Sequence, residues 1–271
     1  MPAGLTWREK FRKCREFGFD WIEFSVDESD EKLARLDWTS EERNVVKEAM
    51  RLEGGELRTM CLSGHRRYPL GTLDPVKKAK ALEVLHKAIG LAADLGIRII
   101  QVPGYDVVEE ESNDMTRAMF IENMHTAVKW AAAEGIVLAF ETMTTEFMNT
   151  VEKAVQIVHE IDSPFLHIYP DVANIIYQLD GTGMDVDSDL QKGRGRIVAA
   201  HVKETDKDHN RRIPFGSGDD HAQYVKHMTV LKNMGVRMFN AEFWYQGGDY
   251  EEICRRAASF LRERLDQVFE N

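Results

Sequence analysis

Four side chains with the chemistry of metal ligands stand at matching places in this sequence. Glu141 follows Val137-Leu-Ala-Phe140, and Asp171 follows Leu166-His-Ile-Tyr-Pro170. His201 closes Ile197-Val-Ala-Ala200, and Glu242 closes Met238-Phe-Asn-Ala241. A charge placed at the end of an apolar run is costly unless it is paired or bound to a cation. For any one of these residues an ion pair with a nearby Lys or Arg is explanation enough. Four of them brought to one place favour a shared metal ion. Three carboxylates and one imidazole form a hard, oxygen-rich set, suited to Mn²⁺ first or to Mg²⁺, and able to take Zn²⁺ or Co²⁺. In an octahedral shell such a set leaves room for two adjacent oxygens of a hydroxy-ketone.

The elements that must position these residues are visible in the pattern. Short apolar runs rich in β-branched and aromatic residues are Trp21–Val26, Leu57–Ser63, Arg98–Pro103, Val137–Met143, Leu166–Val172, Ile197–Lys203 and Met238–Trp244. Between them lie stretches of helical period, among them Thr6–Phe17, Val76–Leu95, Met115–Ala133 and His221–Met234. Thr39-Ser-Glu-Glu42 reads as a capping box, Asp74-Pro75 as a cap before a first-turn proline, and Gly18, Gly96, Gly135 and Gly235 as helix ends. Alternating strands and helices imply parallel strands joined by helical crossovers, and hence a (β/α)8 TIM-type barrel. All strand C-termini would then point to one mouth, where active sites are built. A doubly wound open sheet is the competitor, but no G-x-G-x-x-G follows an early strand. Residues 1–271 read as a single barrel domain with no low-complexity linker. The pattern yields seven strands, so the barrel is expected to lack its first strand. Three explanations stay open: a start further upstream, a strand or partner chain filling the gap, or an open barrel.

Composition narrows the function. With 35 Lys and Arg against 46 Asp and Glu, the formal charge is −11. That balance argues against a protein that coats nucleic acid or an anionic membrane, because both would be repelled at long range. Cys14, Cys61 and Cys254 show no C-x-x-C spacing, so neither a disulfide framework nor a thiolate zinc site is expected. The N-terminal stretch is charged and amphipathic, unlike a signal peptide, and no apolar run is long enough to span a bilayer. A cytoplasmic protein is the expectation.

Several segments are far more specific than the barrel pattern. Glu23-Phe-Ser-Val-Asp-Glu-Ser-Asp-Glu31, Arg35-Leu-Asp-Trp-Thr39 and Cys61-Leu-Ser-Gly-His-Arg-Arg-Tyr-Pro-Leu-Gly71 resemble the L-xylulose-5-phosphate 3-epimerases. That group is also described as L-ribulose-5-phosphate 3-epimerases or hexulose-6-phosphate isomerases, and belongs to the xylose-isomerase-like barrels. The likeness continues through Ile100-Gln-Val-Pro-Gly-Tyr-Asp106, Tyr169-Pro-Asp-Val-Ala-Asn174, His201-Val-Lys-Glu204 and Pro214-Phe-Gly-Ser-Gly218. The resemblance implies that Glu141, Asp171, His201 and Glu242 hold one divalent metal ion. It also implies that Glu141 and Glu242 are the acid/base pair. A homodimer acting in L-ascorbate or pentose breakdown is implied as well.

Inverting C3 of a ketopentose 5-phosphate requires removing a proton beside the C2 carbonyl and returning one to the opposite face. Two carboxylates can exchange the base and acid roles with direction, and a cation on the C2 and C3 oxygens stabilises the enediolate. For the phosphate, the residue types point to His65, Arg66 and Arg67 after the second apolar run, since guanidinium groups match phosphate geometry. Lys203 is expected to face the mouth, on substrate or on a carboxylate ligand. Asn174 is a candidate for a sugar hydroxyl or an ordinary helix cap, and Glu23 for a substrate hydroxyl, Lys203 or a structural ion pair. Arg211 and Arg212 read as a solvated loop, and Trp244 as a wall of the pocket. Three other readings are an aldose–ketose isomerase on a related sugar phosphate, a catalytically weak sugar-phosphate binder, and a metal-dependent DNA endonuclease, which shares this barrel type.

Overall fold

The structure, a computed structural model, describes residues 4–270. Seven strands appear where the apolar runs lie, each trimmed to its paired part. They are β1 Ile22–Ser25, β2 Leu57–Cys61, β3 Ile99–Pro103, β4 Val137–Glu141, β5 Leu166–Ile168, β6 Ala200–Val202 and β7 Phe239–Ala241. The helices are α1 Trp7–Phe17, α2 Asp30–Leu33, α3 Ser40–Glu53, α4 Pro75–Leu95, α5 Asp114–Glu134, α6 Val151–Ile161, α7 Val172–Leu179, α8 Val186–Lys192, α9 Tyr224–Asn233 and α10 Tyr250–Phe269. No helix among the described residues is long and apolar enough to cross a membrane.

Local chemistry sets the boundaries. Thr6 and Thr39 each accept a backbone hydrogen bond three residues on, while Glu9 and Glu42 reach back, so both capping boxes form. Asp74 caps α4 ahead of Pro75. Gly18 ends α1 at φ +95°, a conformation that a Cβ disfavours. The expected helix His221–Met234 is shorter, Tyr224–Asn233, because Asp219, Asp220 and Gln223 take positive φ and turn the chain just before it.

β1 to β5 form one parallel sheet in sequence order, and β6 and β7 a second, parallel pair. The two are laced together by single bridges, Ile168 to Ile197 and Asp171 to His201. On the other side no ladder joins β7 to β1 among the described residues. Side chains span that seam instead: Trp21 Nε1 donates to Asn240 Oδ1 at 2.6 Å, and Asn240 Nδ2 donates to Glu23 Oε1 at 3.0 Å. The main core lies between the five-stranded sheet and its helices, with Phe24, Met60, Ile100, Leu138, Phe140 and Ile168 fully buried. A smaller cluster around Phe215, Tyr224, Met228 and Leu261 packs under β6 and β7. At about 25 cal/mol per Å² of apolar surface, burial on this scale is what holds the strand ends in place.

Candidate metal centre and active site

The parallel strands carry their polar end residues to one mouth. Glu141 is the last residue of β4, His201 sits in β6, and Glu242 follows β7. Asp171 caps α7, accepting Asn174 N–H at 2.9 Å on Oδ1, which leaves Oδ2 facing the mouth. One ligand atom from each of the four lies within 4.8 Å of the others. Gly104 makes room at the rim: its N–H donates to Glu141 O at 3.0 Å, where a Cβ would lie only 2.4 Å from that oxygen.

The surroundings are charged and mostly buried. Lys203 Nζ lies 2.6 Å from Asp171 Oδ2 and 3.1 Å from Glu242 Oε2. Burial opposes its charge, but these two carboxylates outweigh burial and hold its pKa above the ordinary lysine value. His201 Nδ1 lies 3.0 Å from Glu141 Oε1, and Nε2 lies 2.8 Å from Glu23 Oε2. Burial again opposes charge on the ring, while Glu23 and Glu141 raise its pKa well above the usual histidine value. Gln101 Nε2 donates to Glu141 Oε2. The four carboxylates of Glu23, Glu141, Asp171 and Glu242 outnumber the one ammonium beside them, and His201 must give up its Nδ1 proton to serve as a ligand. The site is then left with an excess of negative charge that a divalent cation would offset, so the donor set fits one.

A cavity of about 1210 Å³ opens above these groups. It exceeds the roughly 300–1000 Å³ of an ordinary small-molecule pocket, because it continues down the open seam past Trp21, Phe239 and Leu261. Its cationic lining includes Arg66, Arg211 and Arg212. Arg66 pairs with Glu28 at 3.1 Å. Arg211 donates to Asn174 Oδ1 at 2.6 Å and stacks on Tyr177, and Arg212 lies over Trp244, 5.4 Å from the ring centre. Lys203 lies over the same indole at 5.5 Å.

The other site residues expected from sequence go different ways. His65 is buried; its Nδ1 meets Tyr68 O at 3.0 Å, and burial lowers its pKa to about 4, so it carries no charge for an anion near neutrality. Arg67 turns outward to Asp30. Asn174 spends its amide on Thr142 O and Arg211. Glu23 meets His201, Thr59, Tyr169 and Asn240, and not Lys203. Gln101 escaped notice in the sequence, although a lone amide inside Ile99-Ile-Gln-Val102 was its signal. Asn240, inside Phe239-Asn-Ala241, carried the same signal.

The model of the xylose isomerase-like TIM barrel matches residues 11–264. The L-ribulose-5-phosphate 3-epimerase UlaE of Salmonella paratyphi A is 42% identical over 218 residues, 80% of this chain and 75% of that protein. The protein of the same name from Escherichia coli strain 55989 matches to the same extent. Among solved structures, the 3-keto-D-glucoside 4-epimerase YcjR of E. coli superposes with a TM-score of 0.76 at 20% identity, covering 97% of each chain. At that identity the likeness is one of fold.

Proposed function

Because the chain belongs to the xylose isomerase-like TIM barrel family and, within it, to the L-ribulose-5-phosphate 3-epimerases, we propose that it inverts C3 of a ketopentose 5-phosphate, interconverting L-xylulose 5-phosphate and L-ribulose 5-phosphate. The observation that carries this reading is the convergence of Glu141, Asp171, His201 and Glu242 on one point, with two glutamates among them to serve as the acid and base. When bound there, a divalent cation, Mn²⁺ by preference for this donor set, supplies Lewis-acid stabilisation of negative charge on neighbouring oxygens.

The chain's own groups do the rest. One of Glu141 and Glu242 takes the C3 proton, and the electron pair of that bond moves toward the C2 carbonyl to give an enediolate. The other, as the protonated carboxyl, gives a proton to the opposite face of C3 while the electron pair returns from the C2 oxygen to form the new C–H bond, and the roles reverse with direction. Gln101 holds the Glu141 carboxylate in place, and Lys203 holds those of Asp171 and Glu242. Arg66, Arg211 and Arg212 receive the phosphate. Arg211 and Arg212 have no carboxylate within ion-pair distance among the described residues, so their charge is free for a ligand.

The test is direct. Incubating L-ribulose 5-phosphate with the protein in deuterated buffer should yield L-xylulose 5-phosphate labelled at C3. A chelator should stop the reaction, and Mn²⁺ should restore it. Product formed without label would sink the proton-transfer scheme.

A further inference from the structure

Glu23 has a placement that neither proton transfer nor phosphate binding uses. Its Oε1 accepts Thr59 Oγ1–H at 2.8 Å, Tyr169 O–H at 2.9 Å and Asn240 Nδ2–H at 3.0 Å. Three donors saturate that oxygen and pin the carboxylate. The other oxygen, Oε2, is left to His201 Nε2 at 2.8 Å. The imidazole therefore has one nitrogen committed to Glu23 and the other, Nδ1, turned to Glu141 at 3.0 Å and Glu242 at 3.7 Å.

We propose that Glu23 is a positioning residue for the metal centre. Its fixed carboxylate accepts from Nε2–H of His201, selecting the tautomer and ring orientation that present the Nδ1 lone pair to the ion. Both ring nitrogens face carboxylates, which accept and do not donate; Glu141 and Glu242 are themselves ligands, so an arriving ion displaces the proton on Nδ1, while the one on Nε2 stays with Glu23. An imidazole ligand held by such an outer carboxylate is oriented before the ion arrives, and losing the outer partner typically costs 10- to 100-fold in metal affinity. Tyr169 packs its ring 4.7 Å from that of His201 and also donates to Glu23, so one side chain restrains both members of the pair. Asn240 brings the same carboxylate a donor from β7, so the open seam is tied to the orientation of the ligand.

The inference rests on the metal centre proposed above, and the experiment separates the two. Chelator-stripped wild type, Glu23→Gln and Glu23→Leu are titrated with Mn²⁺ by calorimetry, with folding checked by near-UV circular dichroism. Wild type should bind one ion. Glu23→Leu should bind about 10- to 100-fold more weakly, and Glu23→Gln less weakly, because its amide oxygen still accepts. In ¹⁵N-histidine spectra of the loaded proteins, wild type should show His201 protonated on Nε2 and Glu23→Leu should lose that preference. Should Glu23→Leu fail to fold, Tyr169→Phe and Thr59→Val each remove one donor from Oε1 and should weaken Mn²⁺ in the same direction. Folded variants that bind Mn²⁺ within twofold of wild type, with melting temperature alone reduced, would reduce Glu23 to a structural ion pair and overturn the inference. A wild type that binds no Mn²⁺ would overturn the metal reading itself.

Discussion

The two sides of the barrel are built differently. From β1 to β5 the strands are joined by continuous parallel ladders over a fully buried core. From β7 round to β1 no backbone ladder is present among the described residues, and a tryptophan, an asparagine and a glutamate bridge the opening. The four candidate ligands straddle this divide. Glu141 belongs to the laddered side and is buried, whereas Glu242 sits beside the seam with its side chain 28% exposed. The laddered side holds its residues by backbone pairing as well as burial, whereas the seam side leaves them more open to the cavity.

The largest effect should come from the two carboxylates that face each other across this divide. Glu141→Gln and Glu242→Gln should each lower kcat by about 10²- to 10⁴-fold, measured by coupled turnover. Near-normal rates in either would break the two-carboxylate scheme. Next comes packing. Ile100→Ala, on β3 of the laddered sheet, should cost about 2–5 kcal/mol in urea unfolding. Phe239→Ala, on half-buried β7, should cost less, and amides of β3 and β4 should exchange more slowly than those of β7. Equal costs and equal exchange would erase the contrast.

On the laddered side a pH effect is expected from His65. Burial holds the His65 pKa near 4, below its unfolded value, so His65 contributes stability that is present above about pH 6.5. That contribution, about 3 kcal/mol in all, is lost as pH falls from there toward 4. A His65→Gln variant should flatten this part of the stability profile, and an unchanged profile would contradict a neutral buried ring. The smallest effect is expected at the exposed rim. Arg212→Ala should raise KM for the phosphorylated ketose roughly 10-fold, as for loss of one charge-assisted hydrogen bond, and leave that for the free sugar unchanged.

What was legible in the sequence is what depends on near neighbours. Strand periodicity, the caps at Thr6, Thr39 and Asp74, and the polar residues closing apolar runs are all local signals, and each reappears in the structure. The barrel followed from their alternation. The Glu23 cluster did not, because its members come from β1, β2, β6, β7 and the segment after β5, and nothing local says which will meet. The basic run after β2 misled in a similar way: a short 3-10 turn at Ser63–Arg66 buries His65 and leaves Arg66 at the mouth, with Arg67 facing solvent.

Trp244 has both an ammonium and a guanidinium within 5.5 Å of its ring centre, and this gives the molecule an intrinsic optical gauge of its own mouth. Indole emission responds to the electric field along the ring, so drawing Arg212 away toward an anion should shift the spectrum. Titrating the protein with a sugar phosphate while following tryptophan fluorescence, with Trp244→Phe as the blank, would then time the ligand's arrival separately from the chemistry.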